Sequence, residues 1–325
     1  MAVTGTGTQA DPFIVHDYSE FMSTNSRISG SDVYIQFFEN EKPNQVINCN
    51  DYGSEFKWHQ YSAVYGQFMN VHINLNGCTI KNFLIADGET MFPGEYTQYR
   101  QSIAFYISNG SFRNVFLGSA TSKFCTNYVH FQDVSISFNF AGTTVTPFNG
   151  TGDVTFDNCA LYLVGSTLQA KVFTSCSLSD TDIELHINNL NEVAVFAAAS
   201  DSMSDRTILT GCRLQGKVSG AAKRFVNNIG GVLGCIENYY GSSDKMNLIN
   251  CVVDLDISGV TGEYYNGLFI LYAYSSGLNT TVYCKDHYPT GVTPPSNWNY
   301  MSHENIRNGT YLNNAGFTVV EVVGS

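Results

Sequence analysis

The chain has 325 residues and a formal net charge of −12, and 43% of its residues are hydrophobic. Charged residues make up only 14%, against about 25% in an average domain. Because nucleic acid attracts basic surfaces, the acidic balance and the lack of any basic cluster exclude nonspecific nucleic-acid binding. No apolar run reaches the roughly 18 residues of a membrane-spanning helix, so membrane insertion is not expected. The N-terminus also lacks the basic start and apolar run of a signal peptide.

Residues 1–30 are predicted to form an N-terminal cap. Residues 5–15 within it read GTGTQADPFIV, a distinctive opening. Residues 17–22 are predicted to form a short amphipathic helix, because Asp17 and Ser19 are both residue types that cap helix N-termini.

Residues 31–285 carry a repeated six-residue pattern: apolar, any, turn-type residue, Cys or Val, any, apolar. The clearest copy is FDNCAL at residues 156–161, and the Cys or Val positions are 78, 115, 134, 159, 176, 212, 251 and 284. Such spacing is typical of repeat architectures. Alternating apolar residues indicate strands, and the Gly, Asn or Asp before most of these Cys or Val positions tolerates a sharp bend. The pattern predicts an all-β fold, a parallel β-helix (solenoid) with like residues stacked inside.

The nine cysteines do not suggest a disulfide framework, because their number is odd and the chain is long. Five of them fall at the repeat position that Val also occupies (Cys78, Cys159, Cys176, Cys212 and Cys251), and Cys284 ends a weaker copy. The exchange with Val predicts small buried side chains that stay reduced. No Cys-x-x-Cys pair occurs, so neither a metal site nor a cofactor is expected.

Two segments depart from the repeat. Residues 86–102 hold Gly and Pro without strand alternation and are predicted to be a loop. Residues 286–325 are predicted to form a linker, a capping helix that begins near Ser302, and a closing strand that covers the open edge of the last coil.

Several of these segments resemble those of tailed-bacteriophage virion proteins. The opening GTGTQADPFIVHDYSEFMS is similar to the cap that precedes a right-handed β-helix in many such proteins. The glycine-rich run GGVLG at residues 230–234 and the ending YLNNAGFTVVEV resemble segments of phage and surface β-helix proteins. This resemblance implies a right-handed parallel β-helix with short N- and C-terminal capping segments, of the tail-spike, tail-fibre or head-fibre type.

Parallel β-helices include polysaccharide hydrolases, so paired carboxylates are candidates for catalysis. Hydrolysis by two carboxylates needs them about 5–9.5 Å apart, and alternate residues of a strand share one face. The candidates are Asp180, Asp182, Glu184, Asp254 and Asp256. We expect them to be solvated residues of the outer face and no glycan cleavage to occur, because no Arg, Lys or Trp adjoins either set in the sequence. The nearest cations, Arg213 and Lys217, are expected on an intervening coil.

Tyrosines in loops are the predicted binding residues, since a Tyr offers a large apolar face and a polar tip at little entropic cost. The candidates, with a neighbouring arginine, are Tyr96, Tyr99, Arg100, Tyr239 and Tyr240. An alternative is that these rings lie back over the edges of the coils. In that case they only pack.

The sequence therefore favours a non-enzymatic structural or attachment component of a phage virion: a fibre, spike or decoration protein assembled in the host cytoplasm. Its expected partners are other virion proteins and, through the tyrosine loops, a host-surface glycan, and the resemblance leaves a homotrimer open. The alternatives are a glycan depolymerase of the tail-spike type and a bacterial surface adhesin. The missing signal peptide and anchor count against the adhesin.

Overall fold

The computed structural model describes most of the chain in separate ranges, and every structural statement below concerns them. They are residues 3–24, 32–49, 68–85, 88–94, 102–117, 121–142, 147–167, 171–191, 194–198, 207–222, 229–230, 234–236, 246–262, 282–284, 286 and 299–304. Within these ranges the chain forms 22 strands and one α-helix. Among the described residues, no helix is long and apolar enough to cross a membrane.

In chain order the elements are β1 (Phe13–Val15), α1 (Tyr18–Ser23), β2 (Asp32–Phe37), β3 (Val46–Asn48), β4 (Phe68–Asn74), β5 (Thr79–Ile85), β6 (Thr90–Phe92), β7 (Ser102–Leu117), β8 (Lys123–Cys125), β9 (Val129–Gly142), β10 (Phe148–Asp157), β11 (Ala160–Thr167), β12 (Lys171–Ser179), β13 (Asp182–Asn191), β14 (Ala194–Ala198), β15 (Thr207–Thr210), β16 (Arg213–Ala222), β17 (Ile229–Gly230), β18 (Gly234–Ile236), β19 (Met246–Ile249), β20 (Val252–Gly262), β21 (Val282–Cys284) and β22 (Asn299–Met301). The strands form because apolar and polar residues alternate, which suits a strand with one buried face. In β2, for example, Val33, Ile35 and Phe37 are buried, while the residues between them are partly exposed.

The strands pair in parallel in three stacks. Stack A joins β1, β2, β4, the first half of β7, the start of β9, the ends of β10 and β12, β15 and β19. Stack B joins β3, β5, the second halves of β7 and β9, β11, β13, β16, β20, β21 and β22. Stack C joins β6, β8, the starts of β10 and β12, β14 and β18. Only β17 and β18 pair antiparallel among the described strands.

The register of stack A is continuous through nine strands. One apolar position of each strand lies opposite its equivalent in the next: Phe13, Ile35, Ile73, Ile107, Phe131, Phe156, Leu178, Leu209 and Leu248. A shift by one residue would move a whole strand's apolar set to the solvent face, so burial fixes this register. The stacking of like residues is therefore confirmed.

Phenylalanines from all three stacks meet in one core. Phe156 of stack A lies 5.1 Å from Phe148 of stack C, which lies 5.3 Å from Phe138 of stack B, between ring centroids. Phe131 and Phe156 of stack A are themselves stacked, 5.0 Å apart and 9° from parallel. These side chains are completely buried or nearly so, and each contributes a large apolar area to the core. The inner faces of the three stacks thus cover one another.

The turn from stack A to stack B explains the repeated pattern. Its bend residue has a left-handed backbone in each described copy, at Gly77, Asn109, Asp133, Asn158, Asp180, Gly211 and Asn250. Gly, Asn and Asp are the residues that adopt this conformation most readily, so the predicted role of the turn-type residue is confirmed. The residue that follows the bend is Cys78, Gly110, Val134, Cys159, Thr181, Cys212 or Cys251.

Two copies of the pattern were assigned wrongly from sequence. Residues 112–117 lie inside stack B, where Asn114 makes a second left-handed bend. Cys176 lies opposite Val154, at the entry to stack A. The true equivalents are Gly110 and Thr181, which do not fit a Cys or Val template. A side chain at Gly110 would place its Cβ 2.4 Å from Leu75 Cβ, and this close approach explains the glycine.

The cysteines after the bend are buried, as predicted, and form no disulfide bonds. Their thiols also donate hydrogen bonds to backbone carbonyls. The thiol of Cys212 lies 3.4 Å from the carbonyl oxygens of Leu178 and Thr210. The hydroxyl of Thr181 donates in the same way to Ser179 (2.8 Å) and Phe156 (3.5 Å). The position thus takes a small side chain, and Cys159, Thr181, Cys212 and Cys251 add a hydrogen bond to a backbone carbonyl, whereas Gly110 and Val134 have no side-chain donor. The expected single line of cysteines is wrong for Cys176.

The first and the last described strands both extend the stacks. Helix α1 begins as predicted, with the Asp17 carboxylate accepting from the backbone N–H of Glu20 (2.8 Å). Strand β1, from the predicted cap, joins stack A, and β22, from the predicted C-terminal linker region, joins stack B. Residues 90–92, predicted as loop, form β6, because Met91 and Phe92 are buried in stack C. Beyond residue 304 the predicted capping helix and closing strand lie outside the described residues.

Candidate functional site

The outer face of stack A carries a line of aromatic rings. Tyr34, His72, Tyr106 and His130 lie opposite one another in consecutive strands β2, β4, β7 and β9. Each immediately precedes the buried apolar residue of its strand. Since successive side chains of a strand point to opposite faces, all four rings point outward. We call these four residues the aromatic ladder.

The rings of the aromatic ladder stack face to face. Tyr34 and His72 have centroids 4.4 Å apart and planes 6° from parallel. His72 and Tyr106 are 4.8 Å apart at 15°, and Tyr106 and His130 are 4.7 Å apart at 17°. Because His72 and Tyr106 are covered on both faces and the two end rings on one face, the ladder offers a ligand mainly its ring edges, with the phenol hydroxyls and imidazole nitrogens.

A second line of polar residues runs beside the aromatic ladder. Gln36, Asn74, Ser108 and Gln132 lie opposite one another, two residues after each ring. The two lines, with Gln9 and Pro12 of the N-terminal segment at one end, line a concave site of about 400 Å³. This site presents amides, hydroxyls and imidazoles at the repeat distance of neighbouring strands, about 4.8 Å.

The imidazoles of the site are neutral near pH 7. Burial lowers the pKa of His72, and the nearby carboxylate of Asp32, 4.0 Å from Nε2, opposes that effect only in part. Burial likewise lowers the pKa of His130, against the opposing charge of Asp153. A neutral imidazole has one donor and one acceptor nitrogen. In His130, Nδ1 lies 2.8 Å from the hydroxyl of Thr155.

The carboxylates considered for catalysis lie on the outer face of stack B. Asp182 and Glu184 are in β13, Asp254 and Asp256 are in β20, and β16 lies between them. Strands β13 and β20 are therefore about 9.5 Å apart, two strand spacings. Asp180 is separate from both sets, because it is the exposed bend residue before β13.

Residues of β16 and of neighbouring segments contact these carboxylates. The Nε of Arg213 lies 3.4 Å from Asp182, and the Nζ of Lys217 lies 3.0 Å from Asp256. Arg213 and Lys217 thus lie on the intervening strand, as expected, but they contact carboxylates of the strands on either side, so the expectation that no cation lies beside either set is wrong. A catalytic pair would need two carboxylates that face one open cleft. The carboxylates here instead contact cationic and amide side chains.

Glu184 and Asp256 have further hydrogen-bond partners. Glu184 lies 2.7 Å from Nε2 of His186 and accepts a hydrogen bond from Gln215 at 3.1 Å. Although burial raises the pKa of Asp256, hydrogen bonds from Ser258 and Lys217 outweigh it and hold that pKa below its usual value. Both carboxylates thus already have partners, and the anionic form of Asp256 is stabilised by its contacts.

Asp182 differs from the other carboxylates in its environment. Burial raises its pKa, Arg213 opposes the rise, and Glu184 adds to it. Its Oδ2 is buried and makes no hydrogen bond within the described structure. A carboxyl group with a raised pKa is the usual form of a general acid, so Asp182 is the described acidic residue best suited to catalysis.

The tyrosine loops predicted for binding cannot be compared with the aromatic ladder. Tyr96, Tyr99, Arg100, Tyr239 and Tyr240 all lie outside the described residues. Sequence reasoning missed the aromatic ladder. A signal was present: a Tyr or His, then a buried Ile or Phe, then a Gln, Asn or Ser recurs as YIQ, HIN, YIS and HFQ.

Comparison with known proteins gives little. No family model matches the chain, and no curated protein matches it. A solved structure of "a putative immunoglobulin A1 protease from Bacteroides ovatus" is similar, at 12% sequence identity and a TM-score of 0.48, covering 94% of this chain and 88% of that one. At this identity and TM-score the similarity supports no statement about the fold or activity of this chain.

Proposed function

We propose that this chain is a non-enzymatic attachment protein that binds a neutral, polyhydroxylated ligand, a glycan, along the aromatic ladder. The observation that carries the proposal is the in-register pairing of two outward lines, aromatic rings beside amides and hydroxyls, over four consecutive strands. Sugar hydroxyls both donate and accept hydrogen bonds, and phenol, imidazole, amide and hydroxyl groups supply both partners.

The charges around the ladder favour a neutral ligand over an acidic one. The two imidazoles have lowered pKa values and carry no charge near pH 7. The charged side chains that act on them are carboxylates, Asp32 and Asp153. A polyanion would therefore meet repulsion without a compensating cation among these contacts, and the formal net charge of −12 adds to that repulsion.

The proposed architecture is a right-handed parallel β-helix in which stacks A, B and C are the three faces of each coil. The order A, then bend, then B, then C recurs along the chain, and the phenylalanines of the three faces fill the space between them. Such a solenoid presents an equivalent outward-facing position once in every coil. A surface with this regular spacing suits the recognition of a repeating polymer.

The proposed setting is a bacteriophage virion, with other virion proteins as partners and a homotrimer as a candidate assembly. What supports it is the similarity of the N-terminal segment, the glycine-rich run and the C-terminal ending to phage β-helix proteins. A host-surface glycan is then the natural ligand of the aromatic ladder. A bacterial surface adhesin would use the same face in the same way.

Glycan hydrolysis on stack B is the second candidate function, and Asp182 is the observation that favours it. Asp182, with its raised pKa, and Glu184 are alternate residues of β13. Alternate residues lie about 6.5–7 Å apart, which is within the separation of inverting glycosidases. The contacts of Glu184 with His186 and Gln215 count against it, since they occupy the carboxylate that would activate water.

Binding of the purified chain to host capsular and cell-wall polysaccharides, measured by calorimetry, tests the proposed function. Tyr106→Phe keeps the stacked ring and removes the hydroxyl, so we expect weaker binding by about 5- to 10-fold, the value of one hydrogen bond. Tyr106→Ala should abolish the site. Tyr162→Phe is the matched control, because Tyr162 lies on the outer face of stack B. Equal binding by wild type and Tyr106→Ala would contradict the proposal.

A further inference from the structure

Three potential metal ligands meet at the C-terminal end of stack B. They are Asp254 on β20, Cys284 at the end of β21, and His303, which follows β22. These are three consecutive strands of the stack. Val253 of β20 pairs with Tyr283 of β21, and Asp254 and Cys284 are the next residues of the two strands. Their side chains therefore point to the same face of the stack.

The ligand atoms are close and mostly buried. The Asp254 oxygen, the Cys284 sulfur and a His303 ring nitrogen all lie within 4.8 Å of one another. Nδ1 of His303 is 2.7 Å from Oδ1 of Asp254. Asp254 and Cys284 are buried, whereas the His303 side chain is 37% exposed, so the group opens to solvent on the histidine side.

The surroundings of Cys284 differ from those of the cysteines after the bend. The thiols of Cys159, Cys212 and Cys251 donate to backbone carbonyls. Cys284 has a backbone partner too, Asp286, but it also has a side-chain hydrogen bond with the Asp254 carboxylate, which those three lack. A thiol, a carboxylate and an imidazole at one point form a donor set of the kind that binds zinc.

The other histidine–carboxylate contacts lack this donor set. His186 contacts Glu184 at the same distance, 2.7 Å, but no cysteine belongs to that pair. His16 contacts Glu20 through Nδ1 and Glu39 through Nε2, so its carboxylates lie on opposite sides of the ring and cannot share an ion with it. Among the described residues, the three converging ligand types occur together only at the end of stack B.

We infer that Asp254, Cys284 and His303 bind one divalent transition-metal ion, with Zn²⁺ the cation that this donor set suits best. Tetrahedral bonds of about 2.0–2.3 Å place ligand atoms about 3.3–3.7 Å apart. The 2.7 Å contact between His303 and Asp254 would therefore open slightly as the ion enters. Binding replaces the thiol proton with the metal, and that proton leaves to solvent. A water molecule on the exposed side of His303 completes the four ligands.

The ion would cross-link the last three described strands of stack B. Strands β21 and β22 are short, three residues each, and they lie at the end of the stack. A metal bond to each of β20, β21 and the segment after β22 links them side by side. Because the unfolded chain does not hold the three ligands together, binding adds to the stability of the folded state.

The experiment uses the full chain, stripped with a chelator, dialysed, and titrated with Zn²⁺ or Co²⁺. We expect one ion per chain, a higher melting temperature with Zn²⁺, and a thiolate-to-cobalt charge-transfer band with Co²⁺. Cys284→Ser should lose that band, and His303→Gln should weaken binding by about 100-fold or more. His186→Gln is the matched control and should bind as wild type does.

His303→Gln keeps the test decisive if Cys284→Ser fails to fold, since His303 is partly exposed. Three results would overturn the inference. The first is a stripped wild-type chain that takes up no ion. The second is a cobalt complex without the thiolate band, and the third is equal affinity in wild type and His303→Gln.

Discussion

The imidazole of His72 lies face to face with the phenol of Tyr34, with 4.4 Å between ring centroids and 6° between ring planes. The two residues are 38 positions apart in the chain and are opposite one another in β2 and β4. Their contact follows from the parallel register of the two strands. The same register produces every further step of the aromatic ladder.

The first prediction concerns pH and the ladder. Burial lowers the pKa of His72, so the folded chain takes up a proton there less readily than the unfolded chain does. As pH falls below the unfolded value of about 6.5, the unfolded state gains protons first and the folded state loses stability. The stability contributed by the neutral imidazole of His72 is therefore complete above that pH, and it declines as pH falls toward the pKa of the folded state. His72→Phe keeps a ring and should lose less stability than wild type between about pH 7.5 and pH 5, in urea unfolding.

His16 supplies the control with the opposite sign. Burial lowers its pKa, but the contacts with Glu39 and Glu20 outweigh burial and raise it. Its contribution is therefore complete below the unfolded pKa and is lost as pH rises through the folded pKa. His16→Gln should cost more stability at pH 5 than at pH 8. The same pH trend in both variants would contradict the assignment.

The second prediction concerns the donor after the bend. Thr181→Val keeps the shape of the side chain but removes the hydroxyl that donates to Ser179 and Phe156, so we expect a loss of about 1 kcal/mol, one hydrogen bond. Cys159→Val should cost about 1 kcal/mol or less, because the thiol is a weaker donor and the volumes are similar. Urea unfolding at one pH measures both. A larger loss for Cys159→Val than for Thr181→Val would count against a role for the donor.

The third prediction concerns Gly110. A Cβ there would lie 2.4 Å from Leu75 Cβ and 2.7 Å from the Cys78 carbonyl oxygen. The backbone must shift to admit it, so Gly110→Ala should lower the free energy of unfolding by about 1–3 kcal/mol. Ser108→Ala, two residues earlier and on the outer face, should change it by less than about 0.5 kcal/mol. Wild-type stability in Gly110→Ala would show that the close approach is absent.

The fourth prediction concerns catalysis. Because Glu184 is occupied by His186 and Gln215, and Asp182 by Arg213, we expect no oligosaccharide release from host capsular or cell-wall polysaccharides. Chromatography of the reaction mixture measures it. Release that disappears in Asp182→Asn and persists in Asp256→Asn would establish hydrolysis at β13 and displace the binding proposal.

The sequence determined the local features of this fold because each follows from a few neighbouring residues. Alternating apolar residues predicted the strands, the bend residues predicted the left-handed turns, and Asp17 predicted the start of α1. Burial of the cysteines followed from their exchange with Val. These features need no knowledge of which coil lies beside which, so they could be predicted without the register.

The tertiary structure alone decided which residues meet across coils. The segments between equivalent positions vary in length, so the register cannot be counted along the chain. The aromatic ladder and the contacts of Arg213 and Lys217 with the carboxylates both depend on this register, so neither was predicted from the sequence. The group of Asp254, Cys284 and His303 is likewise assembled from three strands with no short sequence motif. Contacts between distant residues depend on how long loops close, and burial of the whole core, rather than any local preference, fixes that outcome.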